Sequence, residues 1–509
     1  MMMQITQRLL FVAGVLAGGV AFAGAQARPA AKVVDDGIVI EDVTLISPER
    51  PAPLPHATVV IRAGRIAEIG TNLMGGPHAR RIDGRDRFLI PGLIDTHVHV
   101  GDAAPLDDDA VTAHPELLEA YRSQLPRSFL AFGFTTLVDL NLAPDTLSWF
   151  NRVPVHPTLY HCGPAVRVMG GYTAQRIPKD AAAANRMNIV YQSSQAKDWP
   201  AYLDPRDYTP ARAVDRVVEA GGICVKTFVE TGFGGVFHWP VPTAETLDAL
   251  RAETRRRGLV FVIHANAVES WQAAINAHAD VIAHGLWHWP GDRMGTMPPG
   301  EVRDVIEAAA RGGIWVQPTL QVVYGEGSIF DASLLDDPRL AESLPRSVIA
   351  YLKGNDGQAA RRAMADEYRQ VFAKILGPSV DPATAMSIGP ARVTATLRLM
   401  LADDVKLLFG TDTPAGEGVG NPPGLNGRME MGHWVDTGVP LARILRAATL
   451  DNAVAFGLAK DLGTIEVGKR ADLLLLRADP LKAIAAYDAI DTIFVNGTVI
   501  ARASLLPAN

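Results

Sequence analysis

His97 and His99 stand one residue apart at the end of an apolar run that includes Pro91-Gly92-Leu93-Ile94-Asp95. Side chains at i and i+2 of a strand share a face, so both imidazoles would point to the same side. Two imidazoles so placed suit a divalent transition metal. A His-X-His pair is a weak signal by itself, because such pairs also occur on ordinary strand surfaces. Groups of matching chemistry recur, however, at the ends of later apolar runs. They are Lys226 in Cys224-Val225-Lys226-Thr227, His264 in Val262-Ile263-His264-Ala265, His284 in Ile282-Ala283-His284-Gly285 and Asp412 in Phe409-Gly410-Thr411-Asp412. Each has a bland alternative, since a histidine beside an apolar run is often a satisfied core residue and an aspartate before Thr-Pro often caps a helix. Six such residues at five run ends point to one shared site.

The elements that must hold these groups are eight short runs rich in β-branched residues: 89–100, 135–140, 157–163, 222–229, 260–266, 280–285, 313–320 and 405–412. Their nearly continuous hydrophobicity is that of parallel strands buried on both faces. Helices fit between several of them. Thr243 can cap one that Gly258 ends, Ser270 a shorter one before His278, and a third runs from Pro299 to Gly312-Gly313. This alternation predicts an α/β fold, a (β/α)8 TIM-type barrel whose C-terminal strand ends converge on one mouth. Segments near both chain ends alternate instead like antiparallel strands around turns. They predict a small β-sandwich domain built from residues 36–88 and 462–509 beside a barrel of residues 89–461. Residues 321–401, rich in Ala, Arg, Glu and Leu, read as a helical, lid-like insertion. Residues 174–210 form a second long insertion without clear periodicity.

The bulk properties agree with an ordinary globular chain of barrel size. It has 509 residues, 48% hydrophobic and 20% charged, with a formal net charge of -7. No run of one sign recruits nucleic acid or an anionic membrane. Residues 1–25 read as a cleaved signal peptide: Arg8, an apolar stretch over 9–23, then Ala23-Gly24-Ala25. Export to the periplasm or medium follows, with no membrane attachment after cleavage. The two cysteines, Cys162 and Cys224, are expected as buried free thiols, because a chain this long needs no staple. A homo-oligomer is compatible with all of this, and the sequence leaves assembly open.

Taken together, the motifs resemble the amidohydrolase superfamily, in particular its imidazolonepropionase-like and Xaa-Pro dipeptidase-like branch. The matching stretches are Pro91-Gly-Leu-Ile-Asp-Thr-His-Val-His99, Gly133-Phe-Thr-Thr-Leu-Val-Asp139, His284-Gly285, Gly410-Thr-Asp412 and the Gly463 to Asp472 segment. The resemblance runs from about Ile38 to the C-terminus. It implies two divalent metal ions, zinc being the first expectation. His97, His99 and Asp412 would hold the more buried ion, and His264 and His284 the more exposed one. Lys226 would be carboxylated and bridge them. Burial lowers a lysine's pKa and frees the neutral amine that such a reaction needs; an ordinary buried ion-pair lysine is the alternative. The implied mechanism uses a metal-activated water, with Asp412 as the catalytic base and then acid.

Loops after the strands supply His161, Tyr172, His238, His288 and Tyr324 as candidate substrate contacts, each of which could equally be a packing or rim residue. Relatives often carry histidine after the Gly-Gly that here precedes Tyr172, so the chain departs from the pattern there. Arg167 and Arg176 are candidate partners for a substrate carboxylate. The expected reaction is hydrolysis of amide or peptide bonds in small substrates such as dipeptides or N-acyl amino acids. The rivals are hydrolysis of lactones, esters or phosphotriesters on the same centre, and deamination, for which a bridging Lys226 is unnecessary. A non-catalytic binding protein on a retained barrel would have lost ligands, and none of the six is missing.

Overall fold

The computed structural model describes residues 31–507 except 144, 234, 235, 416 and 417. The expected signal peptide, 1–25, lies outside the described residues. Eight parallel strands follow one another as β1 (Leu93–Val98), β2 (Phe134–Asp139), β3 (Thr158–His161), β4 (Cys224–Phe228), β5 (Val260–His264), β6 (Val281–Ala283), β7 (Trp315–Gln317) and β8 (Lys406–Leu407). Every one falls inside an apolar run expected to hold it, β2 beginning one residue early. They form two arcs, β3-β2-β1 and β4-β5-β6-β7-β8. Every residue of β1, β2 and β4 is buried, as strands covered on both faces must be.

Backbone hydrogen bonds cross both seams between the arcs. Ile223 N donates to His161 O at 2.8 Å and Val166 N to Lys226 O at 2.7 Å, joining the β3 and β4 regions. On the other side Thr96 N donates to Phe409 O at 3.3 Å and Asp412 N to His97 O at 2.6 Å. Asn452 clamps this second seam: its Nδ2 donates to the carbonyls of Ile94 and Phe409, and its Oδ1 accepts from Phe409 N.

The run 89–100, expected as one strand, is divided between two sheets. Phe88–Pro91 pairs antiparallel with Leu473–Leu476, and β1 begins only after Gly92. The partner changes at this glycine, where Gly92 N donates to Asp472 O but Leu93 N donates to Gly133 O. A Cβ on Gly92 would lie 2.1 Å from Thr135 Oγ1, so the chain can pass β2 here only without a side chain.

The second sheet combines both chain ends. Its order is Thr498–Ala501, Ile490–Val495, Leu473–Leu476, Phe88–Pro91, Ile38–Leu45, Leu54–Arg62, Arg65–Gly70, with Arg80–Asp83 beside Ile38–Leu45. Ile40, Leu45, Val59, Leu89, Leu473 and Phe494 form its core. Among the helices, Thr243 caps Ala244–Arg256 through Oγ1, and Gly258, at φ 68°, follows its end. Ser270 is not a cap. The helix Val268–Asn276 starts before it, and Ser270 Oγ accepts from Ala267 N from inside the first turn. Residues 320–402 are largely helical, the longest pieces being Asn355–Leu376 and Pro382–Ala402. Arg392 on the latter donates to the carbonyls of Gly295 and Asp292, tying it to the loop after β6. The 174–210 insertion holds the short helix Ala181–Arg186 and a strand, Ile189–Val190, paired with Arg167–Val168. Among the described residues no helix is long and apolar enough to cross a membrane.

Cys162 and Cys224 are joined in a disulfide, against the expectation of free thiols. Cys162 follows β3 and Cys224 opens β4. Seam hydrogen bonding between these strands brings their Cα atoms to 4.4 Å, within bridging range, which linear spacing does not reveal.

Candidate metal centre

Beyond β8 the chain runs close against the end of β1, where Asp412 N donates to His97 O. A Cβ on Gly410 would press on the His97 Cβ at 2.8 Å, so glycine is needed there. Asp95, buried beneath the pair, accepts from His97 N, Thr411 N and Thr411 Oγ1, at 3.1, 3.1 and 2.6 Å. Burial pushes its carboxyl up to about 7 despite these donors. Gln317 on β7 donates to both oxygens of Thr96, completing a polar layer beneath the histidines.

On this base the expected ligands converge. Asp412 Oδ1 is 3.2 Å from His97 Nε2 and 2.9 Å from His99 Nε2, and Oδ2 is 3.8 Å from His284 Nδ1. One donor atom from each of His97, His99 and Asp412 lies within 4.8 Å of the others. The ring of His284 is 4.9 Å from that of His97, and His264 is 4.4 Å from His284. Lys226 is 1% exposed, and its charge acts on His97, His264 and His284. Two of these residues hold strained backbone: Asp412 has φ 61° and His284 φ 87°. Left-handed non-glycine residues persist where surrounding packing over-determines them, often at functional sites.

The donor chemistry fits a bound cation. His97 is fully buried, and neither ring nitrogen makes a hydrogen bond among the described residues. The 3.2 Å approach of Asp412 Oδ1 to Nε2 is a close ion-pair contact rather than a hydrogen bond. An unpaired buried polar group costs about 1–3 kcal/mol, a cost that coordination to a metal would offset. Burial drives the His97 imidazole down to about 3 and that of His284 well below the ordinary range, toward the neutral form in which an imidazole ligates. Burial opposes the charge on Asp412, but the surrounding histidines hold it ionised. Burial also lowers the Lys226 amine to about 7.

Glu230 was not anticipated. It lies just beyond β4, 2% exposed, with Oε2 3.3 Å from His264 Nε2 and accepting from Asn266 Nδ2 at 2.7 Å. Its Oε1 accepts from the N–H groups of Gly232 and Phe233, both at 2.6 Å. Burial would raise this carboxyl, but the hydrogen bond and charge of His264 and the Phe233 N–H outweigh it and hold it at about 2. A carboxylate that fixes the far nitrogen of an imidazole orients it as a ligand. The signal was present as an acidic residue four positions after Lys226, at the same strand end. Thr319 plays a similar part for His284, 2.9 Å from its Nδ1.

The substrate candidates separate. Tyr172 packs against His264 with ring centroids 5.1 Å apart, and His288 lies beside Phe233 and Trp287. Burial lowers His288 to about 4. His238 is exposed on the loop after β4. His161 and Tyr324 do not join the cluster. His161 sits by the Gly221 turn and accepts from Gly163 N, while Tyr324 stacks on His433 and contacts Thr394 Oγ1. Arg167 is occupied by the protein itself. It donates to Thr173 Oγ1, to the carbonyls of Ala165 and Met187, and to Asn141 Oδ1. Arg176 is exposed on the 174–210 insertion.

A sequence profile of the amidohydrolase family matches residues 88–500, spanning β1 to β8 and all six candidate ligands. The chain belongs to the amidohydrolase family. A 5-methylthioadenosine/S-adenosylhomocysteine deaminase of Moorella thermoacetica is 38% identical over 76 residues, 13% of this chain and 18% of that protein. An imidazolonepropionase of Shouchella clausii is 36% identical over 66 residues, 12% of this chain and 15% of the relative. The matched stretches therefore span less than a fifth of either relative. Across the whole fold this amidohydrolase is similar to a Xaa-Pro dipeptidase solved with methionine in its active site. The TM-score is 0.61 at 21% identity, over 91% of this chain and 99% of the other. That likeness is one of fold.

Proposed function

We propose that this chain is an exported, metal-dependent hydrolase that cleaves C–N amide or peptide bonds in small molecules. The observation that carries the reading is the convergence of His97, His99, Asp412, His284, His264 and Lys226 around the orphaned ring of His97. We read the two strand arcs as one (β/α)8 barrel, which puts all six at its mouth.

His97, His99 and Asp412 would hold one divalent ion and His264 and His284 a second, zinc being the natural choice for this nitrogen-rich set. Such ions supply an acidified water and a polarised carbonyl. Lys226, its amine lowered by burial, would help to hold the ions as a carbamate: its lone pair would add to carbon dioxide and its nitrogen lose a proton, supplying an anionic oxygen ligand. Asp412 takes up the proton of the attacking water and returns it to the leaving nitrogen. Glu230 and Thr319 keep His264 and His284 in their ligand orientation. The Cys162–Cys224 disulfide supports export, since such bonds persist in oxidising compartments.

A deaminase is the second reading, favoured by the stretch shared with the Moorella enzyme. A buried Lys226 amid the histidines favours the bridged hydrolase. The deciding experiment screens the metal-loaded protein against dipeptides, N-acyl amino acids, aminopurine nucleosides, lactones and phosphotriesters, with metal content measured in parallel. Turnover of amides with about two ions per chain is the expected result. Ammonia release from nucleosides alone, or a response to esters alone, would overturn it.

A further inference from the structure

A continuous wall of aromatic rings runs outward from the histidine cluster to the surface. It begins at His264, whose ring lies 5.1 Å from Tyr172. Tyr172 contacts Trp239 at 5.4 Å and Phe233 at 5.7 Å, and Trp239 stacks on Phe237 at 4.9 Å with ring planes only 7° apart. Phe233 meets Trp239 edge-on at 5.6 Å. The outer rings are not core residues: Phe233 is 37% exposed and Phe237 44%. Their contact through Trp239 makes the exposed rings one contiguous patch, the kind of apolar surface that suits a ligand when rimmed by polar groups.

The wall is built rather than incidental. The loop carrying Phe233, Phe237 and Trp239 is closed by Trp239 N donating to Thr231 O and by Val236 N donating to Gly232 O. Gly232 has φ 112°, and a Cβ there would meet Phe237 N at 2.7 Å, so this turn requires glycine. Glu230, the carboxylate that engages His264, also accepts from Gly232 N and Phe233 N at the root of the loop. The aromatic surface and the candidate ligand are therefore positioned by one group. On the same side Arg167, an expected receiver of a substrate carboxylate, already makes four hydrogen bonds within the protein.

We propose that the Tyr172–Phe233–Trp239–Phe237 wall is the substrate subsite for a planar, uncharged aromatic group, so that the preferred substrates are amides bearing an aryl substituent rather than small aliphatic dipeptides. Flat rings offer offset-stacked and edge-on contacts to a planar guest, and the half-exposed Phe233 and Phe237 leave ring surface for one. The proposal rests on the amide-hydrolase reading for the bond that is cleaved, but the wall's selectivity is a matter of binding.

The test titrates the metal-free full chain calorimetrically with N-(2-naphthoyl)glycinamide, N-acetylglycinamide and the trimethylammonioacetyl analogue. The naphthoyl compound should bind at least ~10-fold more tightly than the acetyl compound. Trp239→Ala and Phe233→Ala should each reduce that preference several-fold, and Trp239→Phe should restore most of it. Equal affinities for the naphthoyl and acetyl compounds, or a preference unmoved by both alanine variants, would overturn the proposal. Tightest binding of the cationic analogue would also overturn it, making the wall a cation cage instead. If the metal-loaded protein hydrolyses no amide while the naphthoyl preference holds, the hydrolase reading fails and the aromatic subsite stands.

Discussion

Glu230 Oε2 and His264 Nε2 are 3.3 Å apart and both buried, so one ring nitrogen of His264 is committed to a carboxylate and the other is left for a ligand role. Removing the carboxylate frees the ring to rotate. On the two-ion centre proposed above, Glu230→Gln is expected to weaken binding at the His264/His284 site by about 10–100-fold while the His97/His99/Asp412 site keeps its ion. Metal titration against a competing chelator reads this as a drop from two tight ions to one. Two ions at unchanged affinity would remove Glu230 from the ligand framework.

Asp412 touches both histidines at the end of β1, and its carboxyl stays well below the usual range despite burial. An amide at this position keeps the volume but cannot accept a proton. Asp412→Asn should lower kcat by about 10²–10⁴-fold, the usual contribution of a positioned acid–base group. Steady-state kinetics on whichever amide the screen identifies provide the measurement, and full activity in the variant would refute the role.

Glu430 carries the clearest pH signature away from the candidate ligands. It accepts from Leu320 N, Gln321 N and Trp434 Nε1, yet burial pushes its carboxyl up to about 7. In the unfolded chain it titrates near 4.3 (about the usual glutamate value). Between those values the folded state binds more protons, so this group's contribution to stability is complete at low pH and falls as pH rises through 7. Urea unfolding from pH 4.5 to 7.5 should show the wild type losing stability relative to Glu430→Gln across that window. Parallel pH profiles for the two proteins would contradict the assignment.

The Cys162–Cys224 bond closes a loop across a sequence separation of 62 residues. A loop of that order contributes about 2–4 kcal/mol, chiefly by restricting the unfolded chain. The double variant Cys162→Ser/Cys224→Ser should unfold at correspondingly lower urea concentration, and reductant should destabilise the wild type but not the variant. Identical midpoints with and without reductant would mean that the thiols are free.

Much of the fold was legible because burial on both faces leaves a direct mark on composition. Parallel strands sandwiched between helices and core must be apolar throughout, and each of the eight runs so read contains one. The candidate ligands were legible for a related reason: His97, His99, Lys226, His264, His284 and Asp412 interrupt or end those runs, where a polar residue needs a purpose. Helix limits followed from local chemistry at Thr243, Gly258 and Gly312-Gly313, whereas Ser270 misled because a hydroxyl one turn inside a helix and one at its cap look alike in sequence.

What depended on tertiary structure was everything set by which distant segments become neighbours. The pairing of Phe88–Pro91 with Leu473–Leu476, rather than its continuation into β1, is decided by a partner about 400 residues away. Cys162 meets Cys224 only through the β3–β4 seam. His161 and Tyr324, plausible beside the mouth by position, turn to the Gly221 bend and to His433, while Arg167 is consumed by backbone carbonyls and two polar side chains. Glu230 became visible only once its carboxylate was seen to reach both His264 and the root of the aromatic loop. The sequence by itself therefore determined which residue types end which strands, since burial constrains each strand locally. Side-chain direction and partner choice are properties of packing, and the structure alone decided that five of the six groups gather around His97 and that an aromatic wall adjoins them.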